Sequence, residues 1–302
     1  MSAVSNSDSK RTVLITGAAG GTGRAAVRES LELGLRVRAM VRTVDDRARA
    51  LEAQGVEVVV GDFQDITTLR PVVEGSDAAY FVHPIQPGLI QATVNFAQAV
   101  KETGGATTVL NLSQRNTGRE SAGVSTRETF LSQEVFGWSG IDVIHLRPTM
   151  FLEWLTYPWI LPNLRRGKLW MPAGAGTSSI VAVADLGRAI AALLNDPSGH
   201  VGEIVPLSGP AELNQTQMAA ELSGALGREI RYEDAALDEF VAVVAGLGVP
   251  AYLVDSIRGI MLDYQAGRLS GFDDNIEKLT GKPPVSIAEF ARERAGLLTG
   301  AN

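Results

Sequence analysis

The sequence is poor in the side chains that most often carry enzyme chemistry. Its 302 residues include no cysteine and only three histidines, which are widely separated along the chain. The absence of cysteine excludes disulfide bonds, thiolate nucleophiles and cysteine-ligated metal centres. The HExxH and HxH patterns of histidine metal sites are missing, as is the GxSxG motif of many serine hydrolases. The sequence therefore predicts neither a metal centre nor covalent thiol chemistry.

Long apolar runs and basic runs are absent as well. The longest nearly uncharged apolar stretch, residues 241–254, is too short to span a bilayer and contains Pro250. The formal net charge is −7, which argues against nucleic acid as a direct partner. Residues 1–10 are polar and lack the apolar core of a signal peptide. We therefore expect a flexible tail over residues 1–10 and a cytoplasmic protein without a membrane partner.

Strand patterns and helix patterns alternate from residue 11 to residue 150. Thr12–Thr16 and Arg36–Val41 are typical of strands, and Gly88–Thr103 has the spacing of a long helix. Such alternation with short turns indicates βαβ units. The predicted fold is α/β, a Rossmann-type doubly wound parallel sheet with helices on both faces.

The regular alternation loosens after Pro148. Val181–Asn195 predicts an edge strand that continues into a helix, and residues 286–298 predict a final amphipathic helix. The second half therefore indicates a smaller, helix-rich substrate domain at the carboxyl edge of the sheet, where ligands of such folds bind. We predict a dinucleotide-binding domain that comprises residues 11–150 together with 178–208. The predicted substrate domain comprises residues 151–177 and 209–302.

A glycine-rich loop follows the first predicted strand. Gly17, Gly20 and Gly23 have the spacing GxxGxxG at a strand-to-helix turn. The first glycine permits a tight turn, the second lets the backbone approach a pyrophosphate, and the third lets the helix pack closely on the strand. The helix N-terminus then offers free N–H groups to phosphates. We therefore predict a dinucleotide site in this loop, completed by Ala19, Gly21 and Thr22.

The residue that distinguishes NAD from NADP is expected at the end of the second strand. NAD sites commonly carry an acid there, which binds the ribose 2′-hydroxyl, but this chain has Arg42. A guanidinium pairs with a 2′-phosphate instead, and Arg24 is a second candidate. The sequence thus favours NADP(H), with NAD(H) as the alternative if Arg42 stacks on adenine or faces solvent. Asp62 and Phe63 follow the third strand and fit an adenine contact, although Asp62 could equally cap the next helix.

Several motifs resemble the NmrA-like branch of the atypical short-chain dehydrogenases/reductases. They run in the expected order along nearly the whole chain, and they are TGAAGGTGR, VRAMVR, VVVGDF, DVIHLRPTMF, VAVADLGRA and LSGPAEL. The resemblance implies a Rossmann domain with strand order 3-2-1-4-5-6 and a small C-terminal substrate domain. The family includes NADPH quinone reductases and non-catalytic redox-sensing regulators, so the resemblance fixes the fold better than the activity.

One departure from the family pattern concerns the catalytic pair. The family pattern places Tyr-x-x-x-Lys on the helix before the sixth strand, where the tyrosine is the general acid. The equivalent positions here are Thr126 and Phe130, and none of the five tyrosines has a lysine four residues later. Threonine cannot replace a phenol as an acid near neutral pH. The candidate catalytic groups are then Ser113, His83 and Thr126, although Ser113 and His83 could also be ordinary residues of the turns after strands.

Aromatic residues cluster after the sixth predicted strand. Five of the 18 aromatic residues fall between positions 151 and 170. In this fold the segment borders the nicotinamide, and flat rings there suit a flat aromatic ligand. The alternative is that the rings form the core of the substrate domain or the contact face of a homodimer. The predicted substrate-binding residues are Phe151, Trp154, Tyr157 and Trp159.

These observations predict an NAD(P)H-dependent oxidoreductase that acts on a quinone-like or polycyclic aromatic substrate, with no metal and no flavin. A quinone needs no strong general acid, because solvent can protonate the hydroquinone anion. One alternative is a flavin- and metal-independent monooxygenase that tailors an aromatic natural product. The alternative from another class is a redox sensor that binds NAD(P) and presents residues 234–268 to a protein partner.

Overall fold

The computed structural model describes residues 10–301 and is built around a parallel sheet of seven strands. The strands are β1 (Thr12–Thr16), β2 (Arg36–Val41), β3 (Glu57–Val60), β4 (Ala78–Phe81), β5 (Thr108–Leu112), β6 (Val143–Pro148), β7 (Lys168–Met171), β8 (Thr177–Ser178), β9 (Ile204–Leu207), β10 (Leu213–Asn214) and β11 (Arg231–Asp234). The central sheet has the order β3-β2-β1-β4-β5-β6-β9. The predicted doubly wound sheet and its order 3-2-1-4-5-6 are confirmed, and β9 adds a seventh strand beside β6.

Helices connect and cover these strands. They are α1 (Gly21–Glu32), α2 (Asp46–Glu52), α3 (Leu69–Val73), α4 (Leu89–Glu102), α5 (Val124–Ser139), α6 (Leu161–Leu164), α7 (Val183–Asn195), α8 (Gln215–Leu226), α9 (Leu237–Gly246), α10 (Ala251–Gln265), α11 (Asn275–Thr280), α12 (Ile287–Glu293) and α13 (Ala295–Thr299). Two 3-10 helices span Ile66–Thr68 and Leu152–Thr156. Across residues 10–301, no helix has the length and apolar character that crossing a membrane requires.

The central strands are apolar because helices cover both faces of the sheet. Successive side chains of a strand point to opposite faces, and the buried residues sort accordingly. Ile15 and Tyr80 lie in the core beneath α1 and α7, whereas Leu14 and Phe81 lie in the core beneath α3, α4 and α5. This two-sided burial explains why the strand runs could be predicted from sequence.

A third apolar core lies beyond β6 and forms the cap over the sheet. It gathers residues from the 3-10 helix at Leu152, from α10 at Tyr264 and from α12 at Phe290. Two short sheets support it, with β7 parallel to β11 and β8 antiparallel to β10. Ile276 of α11 packs instead in the core beside α7. The second half of the chain therefore contributes to both layers.

Two predicted elements differ from the structure. Val181 makes only a single bridge, to Phe151, and the edge strand of the sheet is β9. The apolar residues before α7 are buried between the sheet and the cap. Periodicity alone cannot distinguish such buried residues from the residues of a paired strand. The predicted final helix over 286–298 is two helices, because the backbone at Arg294 leaves the helical region (φ −112°, ψ 20°) between α12 and α13.

Candidate functional site

A cleft of about 880 Å³ opens between the sheet and the cap. The first turn of α1 lines one part of it. Residues that follow β4, β5 and β6 line the centre, and side chains from the 3-10 helix, α5 and α10 complete the wall. The cleft thus lies at the carboxyl ends of parallel strands, where doubly wound folds bind ligands.

The glycine loop sits under the first turn of α1. A Cβ atom at Gly23 would lie 2.1 Å from the Gly17 carbonyl oxygen, and one at Gly20 would lie 3.2 Å from it. Gly17 has φ +58°, and a Cβ there would lie 2.7 Å from Val82 Cγ1. Helix α1 starts at Gly21, so its N-terminus rests directly on this turn.

The N-terminus of α1 is open to an anion. Its N-cap is Gly20, which has no side chain to bond the first N–H groups, and the first turn contains no acid. Gly21 and Thr22 line the cleft, while Ala19 lies in the turn behind them. Free N–H groups and the helix dipole favour a phosphate here. The loop therefore has the close backbone approach and the donors that a dinucleotide pyrophosphate requires.

Two arginines near this loop have free guanidinium groups. Arg42 follows β2 and is exposed but does not line the cleft, whereas Arg24 is exposed on α1 and lines it. Neither has a hydrogen-bond or ion-pair partner within residues 10–301, unlike Arg28 and Arg47, which pair with acids. Both groups could pair with a phosphate without losing an existing bond.

Asp62 and Phe63 lie after β3 but do not line the cleft. Asp62 Oδ1 accepts a hydrogen bond from the Gln64 N–H at 2.9 Å. Asp65, not Asp62, caps the following 3-10 helix, so the predicted capping role of Asp62 is wrong. Phe63 packs edge-on against Phe81, with ring centres 5.0 Å apart. The adenine contact stays a prediction for both residues.

Ser113 lines the cleft, but its hydroxyl is already engaged. The Oγ donates to the Leu146 carbonyl oxygen at 3.0 Å and accepts from Gln133 Nε2 at 2.7 Å. Arg147 fixes the Gln133 amide by donating to its Oε1 at 2.5 Å. Because a hydroxyl has one proton, Ser113 offers a lone pair to the cleft rather than a proton.

His83 also lines the cleft and also offers an acceptor. Its Nδ1 lies 2.8 Å from the Pro84 carbonyl oxygen. A carbonyl only accepts, so Nδ1 carries the hydrogen and the neutral ring presents Nε2 as an acceptor. Burial lowers the pKa of His83, and the Pro84 carbonyl and the Glu128 carboxylate oppose that effect. The neutral form is therefore favoured near neutral pH, and proton donation by His83 is disfavoured.

Thr126 is fully buried and does not line the cleft. Successive residues of an α-helix point about 100° apart, so a neighbour one position away faces another direction. On α5 the cleft-facing residues are Ser125 and Thr129. The structure therefore does not bring the predicted Thr126 hydroxyl to a ligand in the cleft.

The aromatic segment is divided between cleft and core. Phe151, Trp154 and Tyr157 line the cleft, and Trp154 stacks with Tyr157 at a ring distance of 5.8 Å and an angle of 24°. Trp159 is buried behind them, 5.0 Å from the Tyr157 ring, and does not line the cleft. Trp170 packs on Phe240 in the cap. We call Phe151, Trp154 and Tyr157 the aromatic shelf.

Several polar residues of the cleft were not predicted from the sequence, and three of them are Tyr252, Glu153 and Ser125. Tyr252 of α10 donates a hydrogen bond to Glu128 Oε2 at 2.8 Å, and burial and this bond raise the pKa of its phenol. Glu153 Oε2 accepts from the Val183 N–H at 3.1 Å, and burial raises the pKa of its carboxyl. Ser125 is the third. Only Glu153, which lies among the clustered aromatics, had a local signal in the sequence.

A buried carboxylate fixes the cap beside this cleft. Asp263 of α10 accepts hydrogen bonds from Asn116 Nδ2 at 2.8 Å, from the Ala122 N–H at 2.9 Å and from Arg268 Nη1 at 2.9 Å. Asn116 and Ala122 belong to the connection between β5 and α5. The bonds therefore hold α10 against the wall that carries Ser125. Within residues 10–301, no cluster of three or more His, Asp or Glu side chains is placed to hold a metal ion.

Comparison with known proteins gives a family match and full-length relatives. The NmrA-like family model matches residues 9–131. The NAD(P)H azoreductase of Xenophilus azovorans is 29% identical over 96% of this chain and 100% of its own length. Quinone oxidoreductase 2 of Escherichia coli strain K12 is 27% identical over 92% of this chain and 96% of its own. The crystal structure of the Escherichia coli NADPH-dependent quinone oxidoreductase complexed with NADPH matches with a TM-score of 0.82 and 25% sequence identity. The match covers 93% of this chain and 99% of the oxidoreductase chain. These matches confirm the resemblance of this chain to the NmrA-like family.

Proposed function

We propose that this protein is an NAD(P)H-dependent oxidoreductase that reduces a flat aromatic substrate, either a quinone or an azo compound. The observation that carries the proposal is the continuity of the cleft, which joins the first turn of α1 to the aromatic shelf in one cavity of about 880 Å³. Its size suits two ligands side by side. The azo and quinone reductases among the relatives support this substrate class.

The cofactor end of the cleft fits NADP(H) best. The loop of Gly17, Gly20 and Gly23 with the N-terminus of α1 would hold the pyrophosphate, and Arg42 and Arg24 would hold the 2′-phosphate. A bound NADPH supplies the hydride that reduces the substrate. The quinone oxidoreductase structure that contains NADPH supports this choice of cofactor.

The substrate end is largely apolar. Leu112, Pro148, Met150, Ile260 and Leu269 line it together with the aromatic shelf. Such a wall excludes water and holds a flat ring by stacking, so the protein contributes orientation and desolvation. A strong general acid is not required, because the oxygen of a reduced quinone can take its proton from water.

The direct test is turnover by the full-length chain. We expect the protein to consume NADPH when a benzoquinone, a naphthoquinone or an azo dye is added under anaerobic conditions, measured at the nicotinamide absorbance band. Cofactor binding without consumption of NADPH across this panel would overturn the proposal and favour a redox sensor. A product that gains oxygen mass only in air would instead favour the monooxygenase alternative.

Arg42→Ala is expected to raise the Kd for NADPH by about tenfold and to leave the Kd for NADH roughly unchanged. The variant removes a charge-assisted bond to the 2′-phosphate, which only NADPH carries. Quenching of tryptophan fluorescence would measure both constants. Arg36→Ala is the matched control, because Arg36 is an exposed arginine at the opposite end of the same strand β2. Equal losses for NADPH and NADH in Arg42→Ala would contradict the assignment.

A further inference from the structure

The hydroxyl groups of the cleft wall differ in what they can offer a ligand. Each hydroxyl has a single proton. Five of those in the cleft donate it to an acceptor of the protein, and they are Ser113 to Leu146 O, Thr129 to Thr126 O, Thr149 to Ser179 O, Thr156 to Glu153 O and Tyr252 to Glu128. These side chains therefore present lone pairs to the cleft.

Ser125 differs from these five because its hydroxyl is buried and has no hydrogen-bond partner. Its Oγ is buried without a hydrogen bond, the residue is 5% exposed, and it lines the cleft. Ser30, Ser76 and Ser178 are also buried without a side-chain partner, but they do not line the cleft. An unsatisfied buried hydroxyl is costly to a fold, and at a cleft a ligand can supply the missing acceptor.

The same point of the cleft receives the N-terminus of α5. This helix has 16 residues, and its N-cap Gly123 has no side chain to bond the first turn. The N–H groups of residues 124–126 have no acceptor within residues 10–301. The first turn contains no acid, and Glu128, one turn further, is bonded to Tyr252. The helix end therefore adds partial positive charge beside the Ser125 hydroxyl.

We propose that Ser125 and the N-terminus of α5 form an anion-stabilising site for an oxygen of the aromatic substrate. The inference rests on the proposed function and names the group that the cleft recognises, a phenolate or hydroquinone oxygen. Hydride transfer gives a quinone two electrons and one proton, oxidises the nicotinamide and leaves one oxygen as an anion. Ser125 donates a hydrogen bond to that oxygen, and the second proton comes from water. The site would do by hydrogen bonding what the absent phenol of the family pattern does by proton donation.

The test uses 4-nitrophenol as a probe of the full-length chain without cofactor. We expect the protein to bind the nitrophenolate form preferentially, so that the apparent pKa of the bound probe falls below its value in water. Ser125→Ala is expected to weaken nitrophenolate binding by about tenfold and to remove this shift. Ser125→Thr keeps a hydroxyl and should therefore retain most of the nitrophenolate affinity and most of the pKa shift of the probe. Absorbance titration measures the affinity and the pKa together.

Thermal unfolding and a control variant distinguish the loss of the binding site from a change in the fold. Ser125→Ala removes a buried hydroxyl without a partner, so the unfolding temperature should stay the same or rise. Ser76→Ala makes the same change at a buried serine before β4 and should not alter nitrophenolate binding. The proposed site would be overturned if Ser125→Ala bound nitrophenolate with wild-type affinity. It would also be overturned if Ser125→Ala and Ser76→Ala lost equal amounts of nitrophenolate affinity. The probe assay needs no turnover, so a failed NADPH assay would overturn the proposed function without affecting this result.

Discussion

Gly23→Ala is expected to weaken NADPH binding by about 100-fold and to lower the free energy of unfolding by about 2 kcal/mol. The added Cβ would lie 2.1 Å from the Gly17 carbonyl oxygen and 2.8 Å from Ala18 Cα. Both are backbone atoms, so the clash cannot be relieved by rotating a side chain. Helix α1 must move away from β1, and its N–H groups then leave the position that the phosphates require.

Isothermal titration with NADPH and urea unfolding would measure the two effects of Gly23→Ala. Gly137→Ala is the matched control, because a Cβ at this exposed position of α5 meets no atom within 4 Å. Alanine is the better helix former, so this control should be neutral or more stable by up to about 1 kcal/mol. A Gly23→Ala protein with wild-type affinity would show that the glycine loop does not hold the cofactor.

Asp263→Ala is expected to lower the free energy of unfolding by about 3 kcal/mol, the lower end of the range for breaking a buried pair. Asp263 is fully buried, and its removal leaves the Asn116 amide and the Ala122 N–H without their acceptor. Arg268 is 41% exposed and regains water, which is why the upper end of the range is not expected. The cap should also separate more readily from the wall that carries Ser125.

Urea unfolding would measure the loss in Asp263→Ala. Asp255→Ala is the matched control, because Asp255 is an exposed acid of the same helix without a partner within residues 10–301. Its effect should stay within about 0.5 kcal/mol of the wild type. Asp263→Asn keeps one carbonyl acceptor for the Ala122 N–H and should lose about half as much as the alanine variant. Equal stabilities for Asp263→Ala and Asp255→Ala would contradict the anchoring role.

The fold was predictable wherever the signal is local. The apolar runs of the central strands and the glycine spacing at Gly17, Gly20 and Gly23 each lie within a few residues, so pattern and structure agree. Strand β9 was missed because it has four residues, contains Pro206 and is half exposed at Ile204. The break at Arg294 was missed because the amphipathic pattern continues through it.

The polar groups of the site were less predictable because they depend on helix phase and on distant contacts. Alignment with the family pattern selects Thr126, but the rotation of α5 presents its neighbour Ser125 to the cleft. Ser113 was correctly placed after β5, yet its proton is committed through Gln133 and Leu146, which no local pattern reveals. The homodimer, the cytoplasmic location, the absence of flavin and the domain boundaries stay predictions from the sequence.

The layout of the sheet and cap also constrains how the protein is made. Strand β9 can complete the edge of the sheet only after residue 207 has been synthesised. Helix α1 is covered only when α7 is present. Asp185 bonds Val285 across 100 residues, and Asn116 bonds Asp263 across 147. Such long-range contacts form late and slow the folding of a domain. A nascent chain that has left the ribosome only as far as β6 still lacks α7, so it exposes the apolar side of α1 and is prone to aggregation until α7 has emerged.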